Sequence, residues 1–339
     1  MSEKQSGFEV QTSQRQSWLS IAAVWAGGMI CVPCLMIGGV LSGGGLSLAE
    51  IVISILIGYG LICVYMIFIG MQACDTGLPV AVMASGALGE KGARYVISTL
   101  IAIACIGWFG IQSATCGQAF ATMTAPLLGM EATTGFVAVC SIIWGAIMLA
   151  TACAGFKGLK WLNYIAVPLL VIVCLYGLIA LVLATWTTNV TNAYSGGLAL
   201  SNLLGFDESK FKITTGISGA IGTLLAAFGL LNSFQGFLSL MSALIPPLAG
   251  VIIAAYWITG KGKKENFYFS KGVSAAGLIS FLVGALVACI TGGTFASFPG
   301  LVEAVPFLNT PFFVGPVNGI VVSLVLYVIL AAAFPKKAN

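Results

Sequence analysis

The sequence predicts an all-α polytopic membrane protein, because its charge content, its hydropathy and the length of its apolar runs all point to lipid as the solvent. Only 7% of the 339 residues are charged, 59% are hydrophobic, and the mean hydropathy is +1.06. A soluble domain carries about 25% charged residues. The apolar runs are about 20 residues long, as membrane helices require, and they do not alternate as the strands of a membrane barrel would.

Nine strong apolar runs and one weak run predict the transmembrane helices. The weak run, about 185–206, is rich in Thr, Asn, Gly and Ser. We expect one transmembrane domain over 18–335, between a polar tail at 1–17, which does not look like a cleavable signal peptide, and a short tail at 336–339. The strong runs are 18–41, 49–72, 95–122, 134–154, 161–184, 213–231, 236–258, 273–292 and 314–334.

The Lys and Arg residues predict that both termini are cytoplasmic, since positive charges gather in cytoplasmic loops. They form six clusters, and the charged residues in the loops on the opposite side of the membrane are glutamates. Lys160 and Lys210 belong to consecutive clusters, so an even number of crossings should lie between them. Hydropathy gives one strong and one weak run there, with no turn signal between Leu178 and Trp186, which makes this segment irregular.

Asp, Glu, Lys and Arg are absent from the interior of the strong spans, and the chain has no His. A membrane enzyme needs a catalytic base or metal ligands, and a proton pump usually needs a carboxylate or His within the membrane. Both classes are therefore disfavoured, and no repeated filter motif suggests a channel. Amides, hydroxyls, carbonyls and aromatic rings remain, which suit an uncharged planar solute and a hard cation such as Na⁺.

Neither the net charge nor the cysteines indicate a further function. The net charge of +4 does not predict a nucleic-acid partner, because the Lys and Arg lie between apolar runs. Most of the ten Cys fall inside apolar runs, where they are expected to be small, reduced packing residues.

The first of three polar clusters lies at 27–34, where Pro33 interrupts the first span. Proline removes a backbone donor and clashes with the preceding turn, so carbonyl groups from Gly27 to Ile30 would be freed. Discontinuous helices of this kind form the midplane sites of transporters. A packed proline kink is the alternative, and the Cys-Val-Pro-Cys spacing also permits a metal or redox pair.

The second cluster lies in the middle of the third span. Trp108 and Gln112 are four residues apart and therefore share a helix face. A ring for stacking and an amide that both donates and accepts would suit a flat heterocycle. The alternative is that Trp108 packs between helices and Gln112 bonds a neighbouring backbone.

The third cluster is the stretch 184–192, which is crowded with hydroxyl and amide side chains. Such groups are costly in lipid, so they must face protein, water or a ligand. The alternative is an exposed loop, since 189–191 also matches a glycosylation sequon.

At these residues the sequence resembles the nucleobase–cation symporter-1 family. The similarity runs from about residue 18 to the C-terminus, through short motifs that share their order and spacing with the family. The motifs are Gly-Trp-Phe-Gly at 107–110, Trp-Thr-Thr-Asn at 186–189 followed by Tyr194 and Gly-Leu at 197–198, Ile-Pro-Pro at 245–247 with 250–254, Thr-Gly-Leu-Pro at 76–79 and Gly-Phe-Lys-Gly at 155–158.

The resemblance implies a LeuT-like transporter of twelve helices, ten of them in two five-helix inverted repeats, which takes up a nucleobase with a cation. We expect cytosine as the substrate, sodium as the coupling ion and a bacterial inner membrane as the location. Trp108 matches the tryptophan that stacks on the base. The expected substrate-binding residues are Trp108, Gln112, Asn189, Asn192 and Cys31. The expected sodium ligands are the carbonyls of Gly27, Ile30 and Ala184 and the hydroxyls of Thr187 and Thr188.

The chain departs from the family pattern in two places. The family has a sixth and a seventh helix where this chain joins its fifth directly to its eighth, which predicts an internal deletion near 178–190. Ala255 also stands where an acidic residue is expected. Three explanations stay open. They are an in-frame deletion in the gene, an artefact in the assembled sequence, and a shortened chain that folds, either alone or as an oligomer that completes its site.

Two rival functions stay open. One is transport of another ring solute, such as a purine, a hydantoin, allantoin or thiamine. The other is a truncated remnant that at most binds the base without transporting it.

Overall fold

The computed structural model describes residues 9–29, 32–173, 178–267 and 272–334. Within them the structure is built of α-helices joined by short helical turns. The helices are α1 Trp18–Met29, α2 Val32–Gly43, α3 Leu48–Thr76, α4 Val80–Met83, α5 Ser85–Gly92, α6 Ser98–Thr124, α7 Thr134–Cys153, α8 Gly155–Val173, α9 Leu178–Leu204, α10 Phe211–Ala227, α11 Phe234–Ile253, α12 Ala275–Thr291, α13 Pro299–Ala304 and α14 Gly315–Ala333.

Shorter helical turns connect or extend these helices. A π-helical turn, Ala93–Ile97, joins α5 to α6, and another, Ala254–Thr259, extends α11. The 3₁₀ turns are Thr12–Gln14, Pro126–Leu128, Glu208–Lys210, Leu230–Ser233, Lys264–Asn266, Thr294–Ser297 and Pro306–Leu308.

Five helical stretches in the described ranges are long and apolar enough to cross a membrane, so the chain is a multi-pass membrane protein. Three further apolar helices, α1, α10 and α12, are shorter. The five stretches are Leu48–Thr76, Ser85–Thr124, Thr134–Cys153, Leu230–Thr259 and Gly315–Ala333.

The chain divides into two compact units. The first unit takes Met1–Thr12, Ile57–Ser98 and Gln235–Asn339, and within it α12 packs against α14. The second unit takes Ser13–Leu56 and Thr99–Phe234, and holds the three polar clusters of the sequence. Its core joins α1, α6, α7, α8 and α9 through the buried side chains Val24, Phe109, Cys116, Met148, Ala152, Leu159, Val190 and Ala193.

The irregular segment of the sequence is a pair of helices that lie side by side. The rings of Phe156 in α8 and Tyr194 in α9 are 6.4 Å apart, so the chain must reverse its direction between them. Two helices therefore lie between the Lys160 and Lys210 clusters, which is the even number that the charge pattern requires. The predicted division into runs 161–184 and 185–206 is wrong in its boundary, because α9 already begins at Leu178 within an apolar stretch that hydropathy cannot divide.

The alternative of an exposed loop over 184–192 is also wrong. The stretch lies inside α9, and Thr185, Thr187, Asn189 and Val190 are fully buried. The polar side chains therefore face other helices of the second unit, as the cost of exposing them to lipid predicts.

Helix α9 approaches α10 closely enough that a glycine is required at the contact. A Cβ atom added to Gly197 would lie 2.8 Å from the Cα of Thr215 in α10, whereas one added to Gly216, on the same helix α10, would meet nothing within 4 Å.

We expect Gly197→Ala to destabilise the protein by about 1–3 kcal/mol, because the packed backbones must move apart to admit the methyl group. Gly216→Ala should instead stabilise it by about 0.5–1 kcal/mol through the lower entropy of the unfolded chain. Thermal unfolding of both variants in detergent measures this difference. Equal melting temperatures would contradict the close α9–α10 contact.

Candidate functional site

The site is built where α1 meets α9 within the second unit. The Thr187 hydroxyl donates to the carbonyl oxygen of Gly27 over 2.7 Å. The Thr188 hydroxyl lies 2.9 Å from the carbonyl oxygen of Gly28 and 3.3 Å from that of Gly27. Gly27 and Gly28 have no side chains, so α9 can reach these carbonyls directly. Two main-chain and two hydroxyl oxygens therefore lie together.

This oxygen cluster contains three of the five predicted sodium ligands. Ala184 is in α9, one helical turn before Thr188. Ile30, and the predicted substrate contact Cys31, lie outside the described residues. Pro33 has no N–H group, so the carbonyl four residues before it, that of Met29, loses its usual helical partner. Carbonyl and hydroxyl oxygens are hard ligands that suit a hard cation, so the donor set fits Na⁺.

Trp108 and Gln112 lie one turn apart in α6. The half-buried Trp108 ring packs edge-on against Phe234, with the ring centroids 6.2 Å apart and the planes at 77°. Gln112 is fully buried, and among the described residues neither its amide nitrogen nor its amide oxygen has a hydrogen-bond partner. The alternative in which Gln112 bonds a neighbouring backbone is therefore wrong for the described residues.

Asn189 joins α9 to α6 at Ser113, the residue that follows Gln112. Its amide nitrogen donates to the Ser113 hydroxyl over 2.9 Å and lies 3.1 Å from the Met148 sulfur in α7. Its amide oxygen has no partner in the described part of the chain, and neither has the amide nitrogen of Asn192, three residues further along α9.

Four amide atoms at Gln112, Asn189 and Asn192 thus need partners that the described residues do not supply. The nitrogens of Gln112 and Asn192 are donors, and the oxygens of Gln112 and Asn189 are acceptors. A buried polar atom without a partner costs about 1–3 kcal/mol, and folded proteins keep few of them. An aromatic ring on α6 and unpaired amide atoms on α6 and α9 are the groups that a flat hydrogen-bonding ligand would satisfy.

Two contacts of the site were not predicted from the sequence. Ser113 follows Gln112 directly, but a serine in a membrane helix usually bonds its own backbone and gives no distinct signal. Met148 sits in an ordinary apolar helix, so only the packing of α7 against α9 reveals its contact with Asn189.

The first unit has a cavity of about 510 Å³, lined by Glu90, Lys91, Arg94, Tyr95 and Gly272. It contains none of the predicted site residues. Its charged side chains do not match an uncharged ring, so the candidate site stays with the amides of the second unit.

Comparison with known proteins agrees with the resemblance seen in the sequence. The family model described as a permease for cytosine/purines, uracil, thiamine and allantoin matches residues 9–185 and, separately, 170–315. Cytosine permeases of Escherichia coli, from strain K12 and from O157:H7, are each 24% identical over 367 residues, which cover 78% of this chain and 83% of the relative.

The alignment with these relatives is longer than the chain itself, although it uses only 78% of the chain. The relatives therefore carry residues inside the aligned region that this chain lacks. The two family matches meet at 170–185, where α8 gives way to α9.

Solved structures of Mhp1, a nucleobase-cation-symport-1 family transporter, share the fold. The closed conformation with bromovinylhydantoin bound has a TM-score of 0.76 at 17% identity, covering 100% of this chain and 98% of the other. The inward-facing conformation of Mhp1 has a TM-score of 0.63 at 17% identity, covering 94% and 91%. The predicted LeuT-like inverted-repeat fold is thereby confirmed, and the chain belongs to the family of permeases for cytosine/purines, uracil, thiamine and allantoin.

Proposed function

We propose that the protein binds cytosine or a closely similar nucleobase and carries it across the bacterial inner membrane by sodium-coupled symport with alternating access. The observation that carries this proposal is the set of amide atoms at Gln112, Asn189 and Asn192 that have no hydrogen-bond partner among the described residues. A cytosine ring has a flat π face for stacking and an edge that alternates donors and acceptors. It would satisfy amide atoms that otherwise remain costly to bury.

The cation would be held by the carbonyls of Gly27 and Gly28 and the hydroxyls of Thr187 and Thr188. Sodium there would bridge α1 and α9 by its positive charge. Asn189 follows Thr188 directly in α9, so fixing the hydroxyls would also fix the amide that meets the base. This adjacency supports coupling, because a cation that orders α9 raises the affinity for the base, and by linkage the base raises the affinity for the cation.

We expect Thr188→Ala to weaken the dependence of cytosine binding on sodium by about tenfold or more, since the variant loses one oxygen ligand. Affinity without sodium should change far less, because Thr188 is a predicted ligand of the cation and not of the base. Thr191→Ala, one turn along α9, is the matched control, since the Thr191 hydroxyl bonds the Thr187 carbonyl of its own helix. Equilibrium binding of labelled cytosine with and without sodium measures both variants. A sodium dependence equal to that of the wild type would refute the cation site.

A second candidate function is base binding without transport. The residues that the cytosine permeases carry and this chain lacks favour it, because helices needed for alternating access would be among them. Competition of labelled cytosine by purines, hydantoins, allantoin and thiamine would identify the preferred ring under either function.

A further inference from the structure

The Asn189 amide is held in one orientation by two neighbours. Its nitrogen donates both to Ser113 Oγ, at 2.9 Å, and to Met148 Sδ, at 3.1 Å. All three side chains are fully buried. The two N–H groups of the amide are therefore both used, and no residue that the structure describes bonds the amide oxygen.

The Met148 sulfur decides which way the amide points. A serine hydroxyl can donate or accept, so Ser113 alone would tolerate either orientation of the amide. A thioether sulfur can only accept, so the contact with Met148 favours the nitrogen on that side. The oxygen of Asn189 must then be the atom that is offered to a ligand.

Gln112 differs from Asn189 in this respect. Neither end of its amide has a partner, so no hydrogen bond among the described residues fixes its orientation. Gln112 can therefore match either a donor or an acceptor on a ring, whereas Asn189 can only accept. Discrimination between rings consequently falls on Asn189.

We propose that Ser113 and Met148 are positioning residues that fix the Asn189 oxygen toward the ligand, and that the site thereby selects rings bearing an exocyclic amine over rings bearing an oxo group in its place. This inference rests on the proposed function. Cytosine and uracil differ in this way at position 4, where an amine replaces a carbonyl oxygen. The ring nitrogen beside it changes from acceptor to donor, and the rotatable Gln112 can follow that change.

The test is equilibrium binding of labelled cytosine to the purified full chain, with uracil as the competitor. The wild type should bind cytosine at least about tenfold more tightly, because uracil would set one oxygen against another. Met148→Leu removes the acceptor that holds the Asn189 nitrogen, and adding Ser113→Ala removes the other. The Asn189 amide can then turn its nitrogen toward uracil, more fully in the double variant. The cytosine-to-uracil ratio should then fall at least about threefold.

A merely structural role would lower the affinity for both rings and leave their ratio unchanged. Met148→Leu nearly conserves volume, so it keeps the test available if the double variant fails to fold. Thr115→Val is the matched control, because Thr115 is buried in the same helix as Ser113 but bonds the Ile111 carbonyl. Its ratio should equal that of the wild type.

Two results would overturn the inference while leaving the proposed function intact. One is equal affinity of the wild type for cytosine and uracil. The other is a ratio that Met148→Leu and the double variant do not change. Failure of the wild type to bind either ring would overturn the proposed function together with this inference.

Discussion

Replacing Trp108 by alanine is expected to lower the affinity for cytosine by about 5–150-fold, because stacking of a base on an aromatic side chain is worth about 1–3 kcal/mol. Trp108→Phe should lose much less, since a smaller ring still offers a stacking face. Equilibrium binding of labelled cytosine to the purified variants measures both changes.

Trp161→Ala is the matched control for this prediction. Trp161 lies in α8 of the same unit and is 57% exposed. Removing its ring should therefore leave the buried amides of Gln112, Asn189 and Asn192 unchanged. A Trp108→Ala variant that binds cytosine as tightly as Trp161→Ala would remove Trp108 from the site.

Gln112→Leu is expected to raise thermal stability while abolishing cytosine binding. The native amide is fully buried, and neither of its polar atoms is paired within the described ranges. Replacing it by an apolar side chain removes a penalty of about 1–3 kcal/mol. The same change deletes the group that would bond the ring. Thermal unfolding with and without cytosine measures both effects, because a bound ligand raises the melting temperature of the wild type.

Gln72→Leu provides a comparison in the first unit. Gln72 is also buried with an unpaired amide oxygen, so its replacement should raise stability without affecting the shift that cytosine causes. If Gln112→Leu instead lowers stability and leaves the cytosine shift intact, the amide has a structural partner and no role in binding.

Composition and motif spacing predicted the fold class, because lipid imposes a strict requirement on charge and helix length. They did not place the boundary between α8 and α9, since Leu178 and its neighbours are as apolar as the helix before them. The charge pattern was more informative there, because the positions of Lys160 and Lys210 require an even number of crossings whatever their hydropathy.

The site shows a similar division. Trp108, Gln112 and Asn189 could be selected from the sequence because polar or aromatic groups are conspicuous in apolar runs. The oxygen cluster of the Gly27 and Gly28 carbonyls with Thr187 and Thr188 could not be selected in this way. It depends on how α1 packs on α9, about 160 residues apart in sequence. Helix packing also selects Met148, whose side chain gives no sequence signal.

We infer that the α8–α9 connection marks an internal block of the family that this chain lacks. Removing two helices preserves the even number of crossings, so the later helices keep their orientation and the second unit keeps its α1–α9 contacts. Sequencing the locus across codons 178–190 separates an in-frame deletion from an error in the assembled gene.

The most direct test of the account is uptake of labelled cytosine into cells that express this 339-residue chain, with and without a sodium gradient and with Trp108→Ala alongside. Expression in the membrane must be confirmed for both proteins. If the protein is a sodium-coupled cytosine symporter, uptake should require both sodium and Trp108. Well-expressed protein that binds cytosine but does not take it up would contradict transport and favour a binding-only remnant.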